Sequence, residues 1–376
     1  MRDRKAYEAH GRNDPTAPEQ LREHPYDFVS LPPRPARGDA VGHHRYAPGR
    51  LTGTLRLVYV TVTPLHVGSG VFETARECGL GERSTPVRGI ARRQGRPVLP
   101  GSGWKGTVRT RYEAITRSRL CLVDAGSREP AFKVPEALRS VRGSHKVVVE
   151  DPRVTRELSA MGTIRTADDL GKLSPADALF GCMGYRARVH PSDGEIEVAS
   201  PASAPLDVAP LESPVMHRLA QPGAMTSDGR GTLRIARIEG RKFYYDGPIV
   251  HSRQDDRATG GRYELIDHVP PGATITVAVR FESLTRAELG ALLVGAGYGA
   301  HAGVVRFGGF KPVGLGKVEL REARATAGDG REVRRWRREH AAVDLDAAVA
   351  EAKEKLIDVD ALAELAAVTT RRRPEA

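Results

Sequence analysis

The chain is predicted to fold as an α+β domain. Three observations point there: a β-branched apolar run at residues 55–62, a helical apolar stripe after it, and a second strand and helix pair from residue 275. With 40% apolar residues over 376 positions, the chain can bury a sizeable core.

Taken in order, residues 1–50 are polar and proline-bearing, with an apolar island at Tyr26, Phe28 and Val29, and read as an N-terminal arm. The run LRLVYVTV, Leu55 to Val62, is apolar on both faces from Leu57 onward, as a central strand would be, and Pro64 ends it. Beyond a long loop, Ser102 is expected to precede a helix in which Trp104, Val108, Tyr112 and Ile115 form one stripe. In the middle, ADALFGCMGY and GEIEVAS flank His190 to Gly194, which reads as a hairpin turn; Ser200 to Arg230 is a proline-rich loop. The following LRIARIEGRKFYY, dense in Arg, Lys and aromatics, is either a protruding hairpin or a surface ribbon.

Ile275, Val277, Val279 and Phe281 alternate as a half-buried strand, and Thr285 with Glu288 forms a capping box for a helix carrying Leu289, Leu292 and Leu293. A glycine-rich run, Phe307 to Gly316, leads into the short strand KVELRE; the basic stretch REVRRWRRE then precedes an Ala-rich C-terminal helix. The order βα, hairpin, βαβ is the ferredoxin-like (RRM-like) βαββαβ plan with large insertions and a thumb-like hairpin. The expected domain spans residues 51–323, with insertions at about 120–270, and residues 324–376 form a basic linker and helix.

Lys and Arg outnumber Asp and Glu by 58 to 47, a formal charge of +11, which suits a polyanionic partner such as nucleic acid; Arg-rich coding bias explains the balance equally well. No stretch reaches the roughly 18 apolar residues of a membrane helix, and the opening MRDRKAYEAHGRND lacks a signal peptide's apolar block, so a cytoplasmic location without membrane contact is expected. Cys78, Cys121 and Cys182 stand far apart with no CxxC pair, which argues against a disulfide framework or zinc knuckle.

Three motifs carry candidate chemistry. In PLHVGSG, residues 64–70, glycines allow backbone amides near a phosphate, and His66 and Ser69 supply polar groups; a plain structural turn accounts for them too. VLPGSGWKGTVRTRYE joins a Pro-Gly turn to a helix N-terminus and adds Ser102, Lys105, Arg109 and Arg111, either a phosphate site or a solvated basic face. RFGGFKPVGLGKVEL carries Arg306, Lys311 and Lys317 among glycines; it lacks the GxxxxGK[ST] order of an ATP-binding loop and reads as an RNA-contacting loop or a structural corner.

PLHVGSG, LPGSGWKGTVR, ALFG and GGFKPVGLGKVEL, in this order across residues 55–320, resemble the RAMP superfamily of CRISPR-associated proteins, and GRKFYY at 240–245 resembles a further element of type III members. The resemblance implies a guide-RNA-binding subunit of a type III-like antiviral effector ribonucleoprotein, holding guide RNA and complementary target RNA beside other RAMP subunits. It implies RNA contacts by Lys105, Arg109 and Lys311, with Arg241 to Tyr245, including Lys242 and Tyr244, as a thumb. RAMP slicing members carry an aspartate before a Pro-Val pair; here GERSTPVRG places Ser84 there, with Glu82 nearby, so the expectation is a non-catalytic subunit that needs no cofactor. The alternative is a RAMP-type endoribonuclease. It would process guide precursor through His66, His43 or His44 without metal, or slice target with Mg2+ through Glu82 or Asp246.

Overall fold

The computed structural model describes residues 25–372, apart from 39, 45, 83, 120–145, 150–166, 212–224, 228–231, 252–263 and 336–339. Residues 1–24 of the expected arm, Cys121, Trp336 and much of the expected insertion therefore lie outside the described residues.

Along the chain the elements that matter here begin with β1 (Tyr26–Ser30), β2 (Leu51–Thr61), β3 (Gly68–Thr74), β4 (Pro86–Ile90) and β5 (Arg96–Leu99). Then come α1 (Gly101–Ile115), α2 (Pro175–Phe180), β6 (Gly194–Glu197) and β7 (Leu206–Val208). They continue with β8 (Gly240–Tyr244), β9 (Glu264–Ile266), β10 (Thr274–Leu284), α3 (Arg286–Gly295) and β11 (Lys317–Asp329), and end with α4 (Leu345–Lys355) and α5 (Val359–Thr370).

The result is a mixed α+β fold with several largely antiparallel sheets. The main sheet runs β11-β2-β10-β6-β5, with β2 paired antiparallel to both β10 and β11. Leu55, Leu57 and Tyr59 are fully buried on one face of β2, while Arg56 on the other is exposed. From Leu57 onward the expected two-sided burial is incomplete, because Val58 and Val60 on the second face are only half-buried. Arg56 joins Glu322 of β11 at 3.3 Å on that more open face. Tyr59 marks the covered face: its hydroxyl accepts from Trp104 Nε1 of α1 at 3.1 Å and donates to the Ala296 carbonyl after α3 at 3.0 Å. Fully buried Trp104, Val108, Tyr112 and Ile115 are the predicted stripe.

Several boundaries differ from the sequence reading for identifiable reasons. The cap of α1 is Pro100, so Ser102 lies inside the first turn, and Asp193 Oδ1 accepts from the Gly101 amide at 2.9 Å. Residues 189–191 and β6 do not form a hairpin with each other. Both pair with β10, as one interrupted strand whose kink aims Asp193 at α1. β11 runs to Asp329, past the expected end at 323, because it pairs with β2 back to Leu51. The expected C-terminal helix is two, α4 and α5, the second capped by Asp358, whose own amide donates to the Ile115 carbonyl at 2.7 Å.

The described part of the arm is not free. Its strand β1 pairs antiparallel with β8, Tyr26 opposite Tyr244 and Ser30 opposite Gly240, and Ser30 also binds the Glu364 carboxylate of α5. That pairing answers the choice left open for GRKFYY: these residues form a packed ribbon, not a protruding thumb. The hairpin in this region lies earlier, where Met225–Ser227 pairs with Thr232–Ile235, which in turn pairs with Lys146–Val149. The Thr285 and Glu288 capping box is formed as expected, with Glu288 N donating to Thr285 Oγ1 at 3.0 Å and Thr285 N to Glu288 Oε2 at 2.8 Å.

Candidate nucleic-acid interface

Segments far apart in sequence meet at one cleft of about 550 Å³, lined by Val67 and Gly68, by α1, by β8 and by the glycine-rich loop from Val304 to Lys311. Besides buried Arg111, the α1 wall consists of Ser102, Gly103, Gly106, Thr107 and Thr110. Their spacing places them on one face, opposite the buried stripe, and leaves a floor of hydroxyls and backbone. A Cβ added at Gly106 would meet nothing within 4 Å, so the helix surface there is open to a close approach. No acidic residue occupies the first turn of α1 to oppose an anion.

The glycine-rich loop is a structural corner that also carries a cation. Gly309 N donates to the His66 carbonyl and Gly316 N to the Pro64 carbonyl, each at 2.8 Å, which ties the loop to the PLHVGSG turn. Gly308, at φ +71°, could not bear a side chain, since its Cβ would lie 2.2 Å from the His66 carbonyl oxygen. Phe310 adopts a left-handed conformation, φ 55°, and the short 3₁₀ turn Lys311–Val313 follows it. Lys311 lines the cleft with no ion pair among the described residues. Burial lowers its pKa, and the neighbouring guanidiniums of Arg306 and Arg111 lower it further, so an arriving anion would offset these effects by favouring the charged amine.

Of the other expected RNA contacts, Lys242 and Tyr244 line the cleft, the Lys242 ammonium lying 4.7 Å from the centre of the Tyr26 ring and 5.3 Å from that of Tyr244. Ser102 also faces it. Lys105 is half-buried on α1 and is not part of the lining; burial, then Arg109, lowers its pKa.

Five further cations hold the protein together. Arg109 pairs with Glu113 at 2.8 Å and Asp177 at 3.0 Å and donates to the Gly181 carbonyl. Arg111, on the cleft wall but buried, donates to the carbonyls of Gly295, Val304 and Ala302. Arg241 is buried against Glu113 at 2.7 Å and two backbone carbonyls. Arg306 and Lys317 both hold Asp246, at 2.8 and 2.6 Å.

In that last pair both oxygens of Asp246, a candidate slicing carboxylate, are engaged by cations. Glu82 and Ser84 are exposed in the loop between β3 and β4. Among the described residues no group of three or more His, Cys, Asp or Glu gathers as metal ligands. Ser69 Oγ donates to the Gly89 carbonyl across the β3–β4 pair at 3.1 Å. His66 is buried; its Nδ1 lies 2.8 Å from the Asp267 carbonyl, and burial lowers its pKa. His43 and His44 line a different pocket, with Tyr46, Arg186 and Glu282. Sequence reasoning missed the Gly103, Gly106, Thr107 and Thr110 face, although its small-residue spacing opposite the apolar stripe was visible.

Among the solved structures that resemble the chain remotely are two from CRISPR complexes. One belongs to the type III-B Cmr-beta complex bound to cognate target RNA, at 12% identity and TM-score 0.34 over 75% of this chain. The other belongs to a type IV-B CRISPR complex, at 17% identity and TM-score 0.34, covering 73% of this chain and 90% of that one. This chain spans 62% of the Cmr-beta chain. No curated protein matches the sequence. Residues 58–319, well over half the chain, match the RAMP superfamily, and they include the PLHVGSG turn, α1, β8 and the glycine-rich loop that meet at the cleft. The chain belongs to the RAMP superfamily.

Proposed function

We propose that this protein is an RNA-holding subunit of a CRISPR effector ribonucleoprotein, of the type III or type IV kind, acting in the cytoplasm beside other RAMP subunits. The cleft takes the sugar-phosphate backbone of guide RNA and leaves its bases to pair with target RNA. One observation carries this reading: four motifs between Gly68 and Lys311 converge on one cleft, where Lys311 and Lys242 have no acidic partner among the described residues. Cations in a groove with an open helix face suit a phosphate chain, and hydroxyls there can meet ribose 2′-OH groups.

The ferredoxin-like βαββαβ core belongs to the same proposal. It is supported by the chain order β2-α1-β6-β10-α3-β11 together with the sheet order β11-β2-β10-β6. The hairpin of Met225–Ser227 and Thr232–Ile235 replaces Arg241 to Tyr245 as the thumb candidate. Binding is proposed to need no cofactor. Slicing with Mg2+ is disfavoured by the pairing of Asp246 with Arg306 and Lys317 and by Ser84 in the expected aspartate position.

Metal-free cutting is the competing reading, because a His66 that donates from Nδ1 keeps an acceptor lone pair on Nε2. The test incubates the protein with labelled guide RNA in Mg2+ and in chelator, following binding by gel shift and integrity on a denaturing gel. Retarded, intact RNA under both conditions is expected. Cutting in chelator that His66→Ala abolishes would make the protein a processing endonuclease, and absence of salt-sensitive binding would contradict both readings.

A further inference from the structure

Beside the cleft lies a second pocket of about 350 Å³, and Gly68 and Gly309 line both. These glycines form a low saddle; a Cβ on Gly68 would sit 3.1 Å from His66 Nε2 and cover it. The pocket floor is His66. Its Nδ1 faces a carbonyl, which only accepts, so Nδ1 carries the proton and neutral Nε2 is an acceptor. The lowered pKa of the buried ring agrees with that state.

The walls supply a stacking platform and a second acceptor. Phe72 is 64% exposed, with one ring face under the Arg88 guanidinium at 4.7 Å and the rest open. Arg88 also grips Glu264, through Nε at 2.9 Å and through Nη2, and both contacts fall on Oε1. Among the described residues Glu264 Oε2 has no hydrogen bond, and Glu264 and His66 both line the pocket. The pocket therefore offers an aromatic face and two acceptors, Glu264 held by the Arg88 guanidinium and His66 by the Asp267 carbonyl.

We propose that this pocket receives an unpaired guanine base from the RNA whose backbone lies in the neighbouring cleft. The inference rests on the RNA-holding reading. Guanine alone among the four bases has two adjacent donors, N1–H and N2–H₂, on its Watson–Crick edge, to meet Glu264 Oε2 and His66 Nε2. Its ring stacks on Phe72 and Arg88, as single-stranded bases do on aromatic and guanidinium planes. Adenine, cytosine and uracil each bring one such donor and leave an acceptor unmet.

The experiment measures anisotropy of labelled oligouridylates carrying one central guanosine, inosine or only uridine. The guanosine RNA is expected to bind about tenfold more tightly than the all-uridine RNA, with inosine, which lacks the 2-amino group, between them. Glu264→Gln should erase the preference, and Phe72→Ala should weaken the guanosine RNA alone. Lys311→Ala should weaken all RNAs in equal proportion. Equal, salt-sensitive affinity of the wild type for all RNAs would overturn the guanine site and leave the cleft standing. A preference that survives Glu264→Gln would overturn it too. Loss of all RNA binding would overturn the cleft reading and the guanine site with it.

Discussion

Lys311→Glu is expected to lower RNA affinity by roughly a hundredfold and Lys311→Ala by roughly tenfold, with the salt slope reduced by about one in the alanine variant. The amine is confined beside two guanidiniums and has no carboxylate partner among the described residues, so a bound phosphate is the partner its site lacks. Alanine removes one phosphate contact; glutamate also places a negative charge where a polyanion must lie. Stability should move the other way. Lys311 sits desolvated beside Arg306 and Arg111, and removing its charge relieves that cost, so the melting temperature of Lys311→Ala should match or exceed the wild type. Lower affinity with lower stability would mean that Lys311 holds the loop instead.

Glu288→Ala is expected to cost about 3–5 kcal/mol of folding stability, measured by urea denaturation. Glu288 is the acid for two buried cations: Arg188, which has no exposed surface, binds it with both terminal nitrogens, and Arg50 joins at 3.2 Å. Both arginines also donate to the Ser283 carbonyl, at 2.7 and 3.0 Å, and Ser283 holds a left-handed φ of 54°. The same carboxylate caps α3 through the Thr285 amide. Its loss would take the carboxylate from buried Arg188, remove one partner of Arg50 and open a cap together. A cost under about 1 kcal/mol would show that water reaches this cluster and screens it.

Much of the architecture could be read from the sequence because it is written in local signals. The alternation at Ile275 to Phe281, the stripe from Trp104 to Ile115 and the capping box at Thr285 each need only neighbouring residues to be recognised. The site was legible as motifs but not as assignments of charge. Whether an arginine faces RNA or the interior depends on its partner, and Asp177 is 68 residues from Arg109, Glu113 is 128 from Arg241 and Asp246 is 60 from Arg306. No periodicity reports such pairs. GRKFYY was ambiguous for the same reason: its alternation fits either ribbon or thumb, and only the distant strand β1 decides between them. The guanine pocket was invisible because Phe72, Arg88 and Glu264 gain meaning only when β9 lies beside β4.

The most direct test of where RNA lies is photo-cross-linking of the bound protein to guide RNA substituted with 4-thiouridine, with the modified peptides mapped by mass spectrometry. The RNA-holding account predicts adducts on residues 102–110, 242–244 and 304–311, around the cleft. Adducts concentrated instead at the separate pocket of His43, Tyr46 and Arg186, or on the open sheet face around Arg56 and Arg324, would contradict it.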